Sequence, residues 1–397
     1  MLLCHKKTAT ILFMILTAKD LKWYGRYSDI DGIRYFDYSA SGFEFCFTGK
    51  KAVTTILSDP ELFDEGTKGV IGVYVTELAN ATDYKGESFW EKFPDDLTKR
   101  FVFTEKETEC VLFESDVEKT VLIRVLKLSE VNFGCAGFKS LEIDGQLVRS
   151  AGNGNCGAAN LSASAGNTDV GKKSAPKIEI IGDSITCGYG VEGIFEKDVF
   201  TTRQERPDLA YAFLTAKALG AEFNLVSWSG IGIISKYVDA SVEEPDTTVV
   251  MPSVWPYTDK SLALRRGIEP AVWNESWFSP DIVVIHLGTN DASYVRNVEG
   301  RRKSYVCGLR QFIEAVHRRS PKAKICCCLG VMGQDLCDSV QEAVNQFHGD
   351  FKNVPIKFVK FPVQLDEDGI GADWHPSPKT HQKIAEILTK ELRELVN

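Results

Sequence analysis

Two hydrophobic periods divide the chain. Up to about residue 144 the apolar positions recur at every second residue, with Phe43, Phe45 and Phe47 alternating with small or polar residues inside 39–49. A period of two marks a half-buried strand, because successive side chains point to opposite faces. Residues 101–103, 110–113, 120–128 and 140–143 are further strand candidates, and Asp144-Gly145 is a hairpin-type turn signal. No long amphipathic helix interrupts them, so the pattern predicts an all-β, jelly-roll-like sandwich domain.

From Lys177 the pattern changes. Ile178, Ile180 and Ile181 form a β-branched run typical of a buried strand, as do 223–227, 282–287, 324–330 and 356–361. Between them the apolar spacing becomes helical. Leu209, Ala212, Phe213, Ala216 and Leu219 share one face of 208–220, with Asp208 as a candidate cap and Gly220 as a stop. Segments 305–318, 340–349 and 378–396 read as helices in the same way. Strand–helix alternation predicts a parallel sheet flanked by helices. The stretch 151–175 is rich in Gly, Asn, Ser and Ala, which places a domain crossing there. The expected organisation is a β-sandwich over 1–165, a linker over 166–176 and an α/β domain over 177–397.

Composition narrows the classes. A chain of 397 residues with 44% apolar and 25% charged positions suits a soluble two-domain protein. The net charge of −9 argues against nucleic acid as a partner, since phosphates need a basic excess. The apolar run at 9–16 follows His5-Lys6-Lys7 and is too short to span a bilayer. It reads as a leading strand or as a signal peptide with a weak cleavage edge at Thr17-Ala18. Eleven cysteines cannot all pair with one another, and Cys326-Cys327-Cys328 would alternate faces of a strand, poor geometry for a disulfide. Reduced, buried thiols favour a cytoplasmic location, with secretion through the N-terminal segment as the alternative. No cysteine–histidine cluster has zinc-site spacing, and no metal or organic cofactor is expected. Nothing in the sequence sets the oligomeric state.

The chemistry gathers at strand ends. Gly182-Asp183-Ser184 follows the first α/β strand directly, and open α/β sheets bind ligands at that carboxyl edge. Gly-Asp-Ser alone is ordinary turn chemistry. Here it is followed in order by Ser229-Gly230, by Gly288-Thr289-Asn290-Asp291 and by Asp373-Trp374-His375-Pro376. An alcohol needs a base within hydrogen-bond reach, and His375 is the best placed; His286, inside an apolar strand, reads as a core residue. Ser184 N–H, Gly230 N–H and the Asn290 amide are the expected donors to an oxyanion. The insertion 238–278 carries Trp255, Trp273 and Trp277, and Trp374 adjoins the base. These four are candidates for an aromatic substrate-stacking platform, against the alternative that they pack the loop on the domain.

The four ordered blocks resemble the Ser-Gly-Asn-His hydrolases, also called GDSL-like esterases. Adding 41–49 (S-G-F-E-F-C-F-T-G), 125–138 (V-L-K-L-S-E-V-N-F-G-C-A-G-F) and 181–193 (I-G-D-S-I-T-C-G-Y-G-V-E-G), nearly the whole chain is similar to carbohydrate esterase family 2. That resemblance implies removal of O-acetyl groups from plant polysaccharides such as xylan or glucomannan, without a cofactor. One position departs from the superfamily, which commonly carries Asp three residues before the histidine; here it is Ala372. The group orienting His375 is then either Asp373 or a backbone carbonyl. Two other functions are carried: a lipase or thioesterase with the same machinery, and a carbohydrate-binding protein whose hydrolase domain is idle.

Overall fold

The computed structural model describes residues 13–150 and 175–396. The N-terminal part holds β1 (Met14–Leu16), β2 (Lys22–Tyr24), β3 (Ser28–Ile30), β4 (Ile33–Tyr35) and β5 (Gly42–Leu57). It continues with β6 (Val70–Leu78), β7 (Lys99–Val102), β8 (Glu107–Lys127), β9 (Gly137–Ile143) and β10 (Gln146–Val148). These ten strands form one antiparallel sheet built on the long pair β5 and β8. Phe43, Phe45 and Phe47 all lie in its core, but this stretch is buried on both faces rather than half-buried, since Glu44 and Cys46 between them are buried too. Of the apolar N-terminal run, residues 14–16 are β1, paired with β9, and 9–12 lie outside the described residues. The expected linker 166–176 is described only at Ala175 and Pro176.

The second part alternates strand and helix. It comprises β11 (Lys177–Gly182), α1 (Ser184–Cys187), α2 (Tyr211–Leu219), β12 (Glu222–Ser227), α3 (Met251–Val254) and α4 (Lys260–Arg266). Then come β13 (Ile282–His286), α5 (Thr289–Val295), α6 (Glu299–Arg319) and β14 (Lys324–Leu329). The chain ends with α7 (Cys337–Asp350), β15 (Ile356–Lys360) and α8 (Pro378–Val396). The sheet is parallel, in the order β12-β11-β13-β14-β15. One face packs on α6 and α7 through Leu309, Phe312, Val340 and Ala343, the other on α2 and α8 through Phe213, Ala216, Ile384 and Leu388. Cys327 faces the first layer, Cys326 and Cys328 the second, so the triplet fills the core on both sides. The helix expected at 208–220 begins later, because Pro207–Leu209 is a 3-10 turn. Asp208 takes no cap role there; its carboxylate pairs with Arg206.

The two domains share their cores. Tyr38 and Val131 join the cluster on one face of the parallel sheet, and Tyr24, Tyr74, Phe89 and Leu126 join the other. A buried ion pair pins the seam: Arg26 Nη2 lies 3.2 Å from Glu179 Oε2, with side chains 1% and 4% exposed. Arg26 also donates to the carbonyls of Trp255 and Tyr257, and the Trp255 indole N–H donates to Glu179 at 2.7 Å. Truncating Arg26 strands the Glu179 charge in the interior, a loss of about 3–5 kcal/mol. Arg26→Met is therefore expected to lower the urea midpoint sharply, and adding Glu179→Leu to recover part of it. A single variant as stable as wild type would remove the pair as the anchor.

Candidate active site

Strand register sets the edge. Gly182 is level with Ser227 on one side and His286 on the other. The loops that follow these three residues carry Ser184, Gly230 and Asn290, so all three emerge at the same carboxyl end of the sheet. Asp183 caps α1 by accepting from the Ile185 N–H at 3.1 Å, leaving Ser184 as the first helical residue, whose N–H has no intrahelical partner. Gly230 has φ +77, a left-handed conformation, with open space where a Cβ would stand. Asn290 spends one amide hydrogen on the Ile231 carbonyl at 2.9 Å. Its second amide hydrogen stays available.

Asp291 braces the Gly230 loop. Its buried carboxylate accepts from the backbone N–H groups of Ile233, Ile234 and Ser235 at 2.8–3.2 Å. Burial pushes Asp291 up to about 6 against those hydrogen bonds. Burial likewise pushes Asp183 up to about 7.

His375 reaches the same edge from the loop before α8. Its Nε2 lies 2.8 Å from Ser184 Oγ, and its Nδ1 lies 3.0 Å from the main-chain carbonyl of Asp373. A carbonyl only accepts, so Nδ1 carries the hydrogen and Nε2 is left to accept from the Ser184 hydroxyl. The Asp373 carboxylate is turned away and accepts from the Tyr189 hydroxyl at 2.9 Å. Of the two groups the sequence left open, the one within reach of Nδ1 is a backbone carbonyl, that of Asp373, and the Asp373 carboxylate does not meet the imidazole. Burial lowers His375 to about 4, keeping the imidazole neutral, while the Asp373 carbonyl and carboxylate oppose the shift.

Backbone strain presents that carbonyl. Asp373 and Trp374 have φ of +50 and +67, consecutive left-handed residues without a glycine. Each such residue costs of order 1–3 kcal/mol. The loop is tied down by Gly371 N–H to His375 O, Ala372 N–H to Gly190 O, and the Gln364 amide to Trp374 O at 2.7–3.0 Å. Contact with the serine turn is close enough to demand glycine: a Cβ on Gly190 would stand 2.7 Å from the Ala372 carbonyl, and one on Gly193 2.6 Å from the Ala372 methyl. The Ala372 methyl points at this seam rather than at the imidazole. The Tyr189 ring completes the clamp, 4.4 Å from His375 and stacked on Phe200.

The tryptophan expectation is corrected at three of its four members. Trp255 and Trp273 are buried, the first bonded to Glu179 and the second beneath the Arg26 guanidinium at 5.1 Å. Trp277 stacks on Tyr27 of the β domain with ring centres 5.5 Å apart. These rings face the domain seam, toward the end of β11 away from Ser184. Trp374 is 45% exposed beside His375, its edge against Phe195. His286 is buried, with Nδ1 3.0 Å from the Tyr211 hydroxyl. Sequence reasoning missed Tyr189, Asp291 and the glycine contacts, although Tyr189, Gly190 and Gly193 stand inside the serine motif. Among the described residues no cluster of three or more His, Cys, Asp or Glu could hold a metal ion, and no helix is long and apolar enough to cross a membrane.

The model of the GDSL-like lipase/acylhydrolase family matches residues 180–383. The cellulase/esterase CelE of Acetivibrio thermocellus is 41% identical over 224 residues, 55% of this chain and 25% of that protein. An acetylxylan esterase/glucomannan deacetylase of Cellvibrio japonicus is 29% identical over 234 residues, 56% of this chain and 60% of its own. The chain thus spans a quarter to about three fifths of the length of these curated relatives. Among solved structures, a family two carbohydrate esterase from Clostridium thermocellum in complex with cellohexaose superposes with a TM-score of 0.73 at 29% identity, over 95% of this chain and 99% of that one.

Two outcomes test the histidine geometry. Neutral His375 is the form that accepts the serine proton, so kcat/KM should hold steady down to mildly acidic pH and fall as pH drops through about 4. A break near 6.5 in the pH–rate profile would contradict the half-buried, carbonyl-held imidazole. Asp373→Asn keeps a residue tolerant of left-handed φ and removes only the charge. It should cost less than about tenfold in kcat, where losing a triad carboxylate costs about 10⁴.

Proposed function

From the chain's membership of the GDSL-like lipase/acylhydrolase family, we propose that it is a serine esterase that removes O-acetyl groups from plant polysaccharides or their oligosaccharides. The observation that carries the mechanism is the Ser184–His375 hydrogen bond with Nδ1 already committed to a carbonyl. The substrate class draws on the resemblance to acetylxylan esterases and to a carbohydrate esterase seen with cellohexaose.

In this reading Ser184 Oγ attacks the acetyl carbonyl while His375 Nε2 takes its proton. The oxyanion forms against the Ser184 and Gly230 N–H groups and the free hydrogen of the Asn290 amide. His375 returns the proton to the sugar oxygen, and deprotonated water then releases acetate by the same path. Trp374, exposed beside the base, is the acceptor-stacking residue of the proposal. The β domain is read as a jelly-roll-like sandwich, supported by its antiparallel sheet with long central strands. The unpaired cysteines of the described residues support a reducing, cytoplasmic setting.

Acetate release from acetylated xylan and glucomannan, wild type against Ser184→Ala, tests the assignment. Release abolished by the substitution supports it. Turnover of small acetyl esters with neither polymer attacked would remove the polysaccharide. A rise in rate with acyl-chain length on nitrophenyl esters would favour a lipase. Asn290→Ala should lower turnover by about 10²–10³, and Trp374→Ala should raise KM on polymer while Trp273→Ala acts through stability.

A further inference from the structure

The β domain reaches the reactive edge through a buried carboxylate. Glu130 follows β8, is fully buried, and its Oε2 accepts from the Ser229 N–H at 2.5 Å and from the Cys187 thiol at 3.5 Å. Cys187 ends α1, the helix that Ser184 begins; Ser229 immediately precedes Gly230. One oxygen from the N-terminal domain therefore ties the nucleophile's helix to the glycine loop. Burial pushes the Cys187 thiol well up, so it stays protonated and donates. The segment around Glu130 is itself held: its N–H donates to Glu205 Oε2 at 3.2 Å, and Lys127 Nζ donates to the carbonyls of Ser129 and Glu130.

We propose that Glu130 is a positioning residue that fixes the spacing between Ser184 and the Gly230 N–H, so that the β domain is a working part of the oxyanion site. The proposal rests on the ester-cleavage reading above. Glu130 itself acts only through Ser229 and Cys187. Its effect is on the transition state, because the donor it aligns is used when the carbonyl becomes tetrahedral.

The test compares wild type, Glu130→Ala and Glu130→Gln in the full chain, with p-nitrophenyl acetate for kinetics. Phenylboronic acid serves as a tetrahedral probe of the serine and its donors, its affinity read by calorimetry. Glu130→Ala should lower kcat by about 10- to 100-fold with KM little changed, the scale expected of a 1 Å misplacement. Boronate affinity should weaken by a similar factor. Glu130→Gln keeps an acceptor oxygen and should restore most of both. Should Glu130→Ala not fold, Glu130→Asp, one methylene short of its donors, is read in the same way. A folded Ala or Asp variant with wild-type kcat and boronate affinity overturns the proposal, as does a Gln variant no better than Ala. Wild type that cleaves no acetyl ester sinks the esterase reading alone, since boronate affinity still judges Glu130.

Discussion

An imidazole oriented by a main-chain carbonyl is the constraint on which this site depends. A carboxylate can swing to meet its histidine; a carbonyl points wherever φ and ψ send it. The two left-handed residues at 373 and 374 are the conformational cost of turning the Asp373 carbonyl toward Nδ1. The surroundings over-determine that conformation, through the Tyr189 hydroxyl, the Gln364 amide and the contact of residue 372 with glycines 190 and 193. Serine turn and histidine loop are thus one interlocked object, although 191 residues separate Ser184 from His375.

The parallel sheet supplies the rest by register. Level strand ends bring three loops to one edge, and buried acids tie these loops in addition to their apolar packing. Asp183 caps the serine helix, Asp291 gathers three consecutive N–H groups of the glycine loop, and Glu130 crosses from the other domain. Burial raises all three, and the backbone N–H groups facing them draw them back toward the charged form. Such acids hold the loops by direction, which apolar packing alone would not specify.

What was legible in the sequence follows from how local each signal is. The strand-end blocks around Ser184, Gly230 and Asn290 are readable because a β-branched run and the turn that ends it sit side by side in the chain. His375 was readable from its order after them. The tryptophans were not: whether a ring at 255 or 273 is a platform or a strut depends on Arg26, some 230 residues earlier in the chain. The carbonyl orientation was invisible for a related reason, since no residue type encodes a backbone direction by itself. Glu130, in an ordinary Ser-Glu-Val-Asn turn, has no local mark of its contact with Ser229.

The shared core carries a consequence for how such a chain is inherited. A binding module joined by a tether can be shuffled between enzymes by recombination, because a break in the tether exposes nothing. Here a crossover between the two domains would open both hydrophobic clusters and leave the charge of Glu179 without Arg26. Viable descendants must keep the pair together and let the two halves of the seam drift in concert.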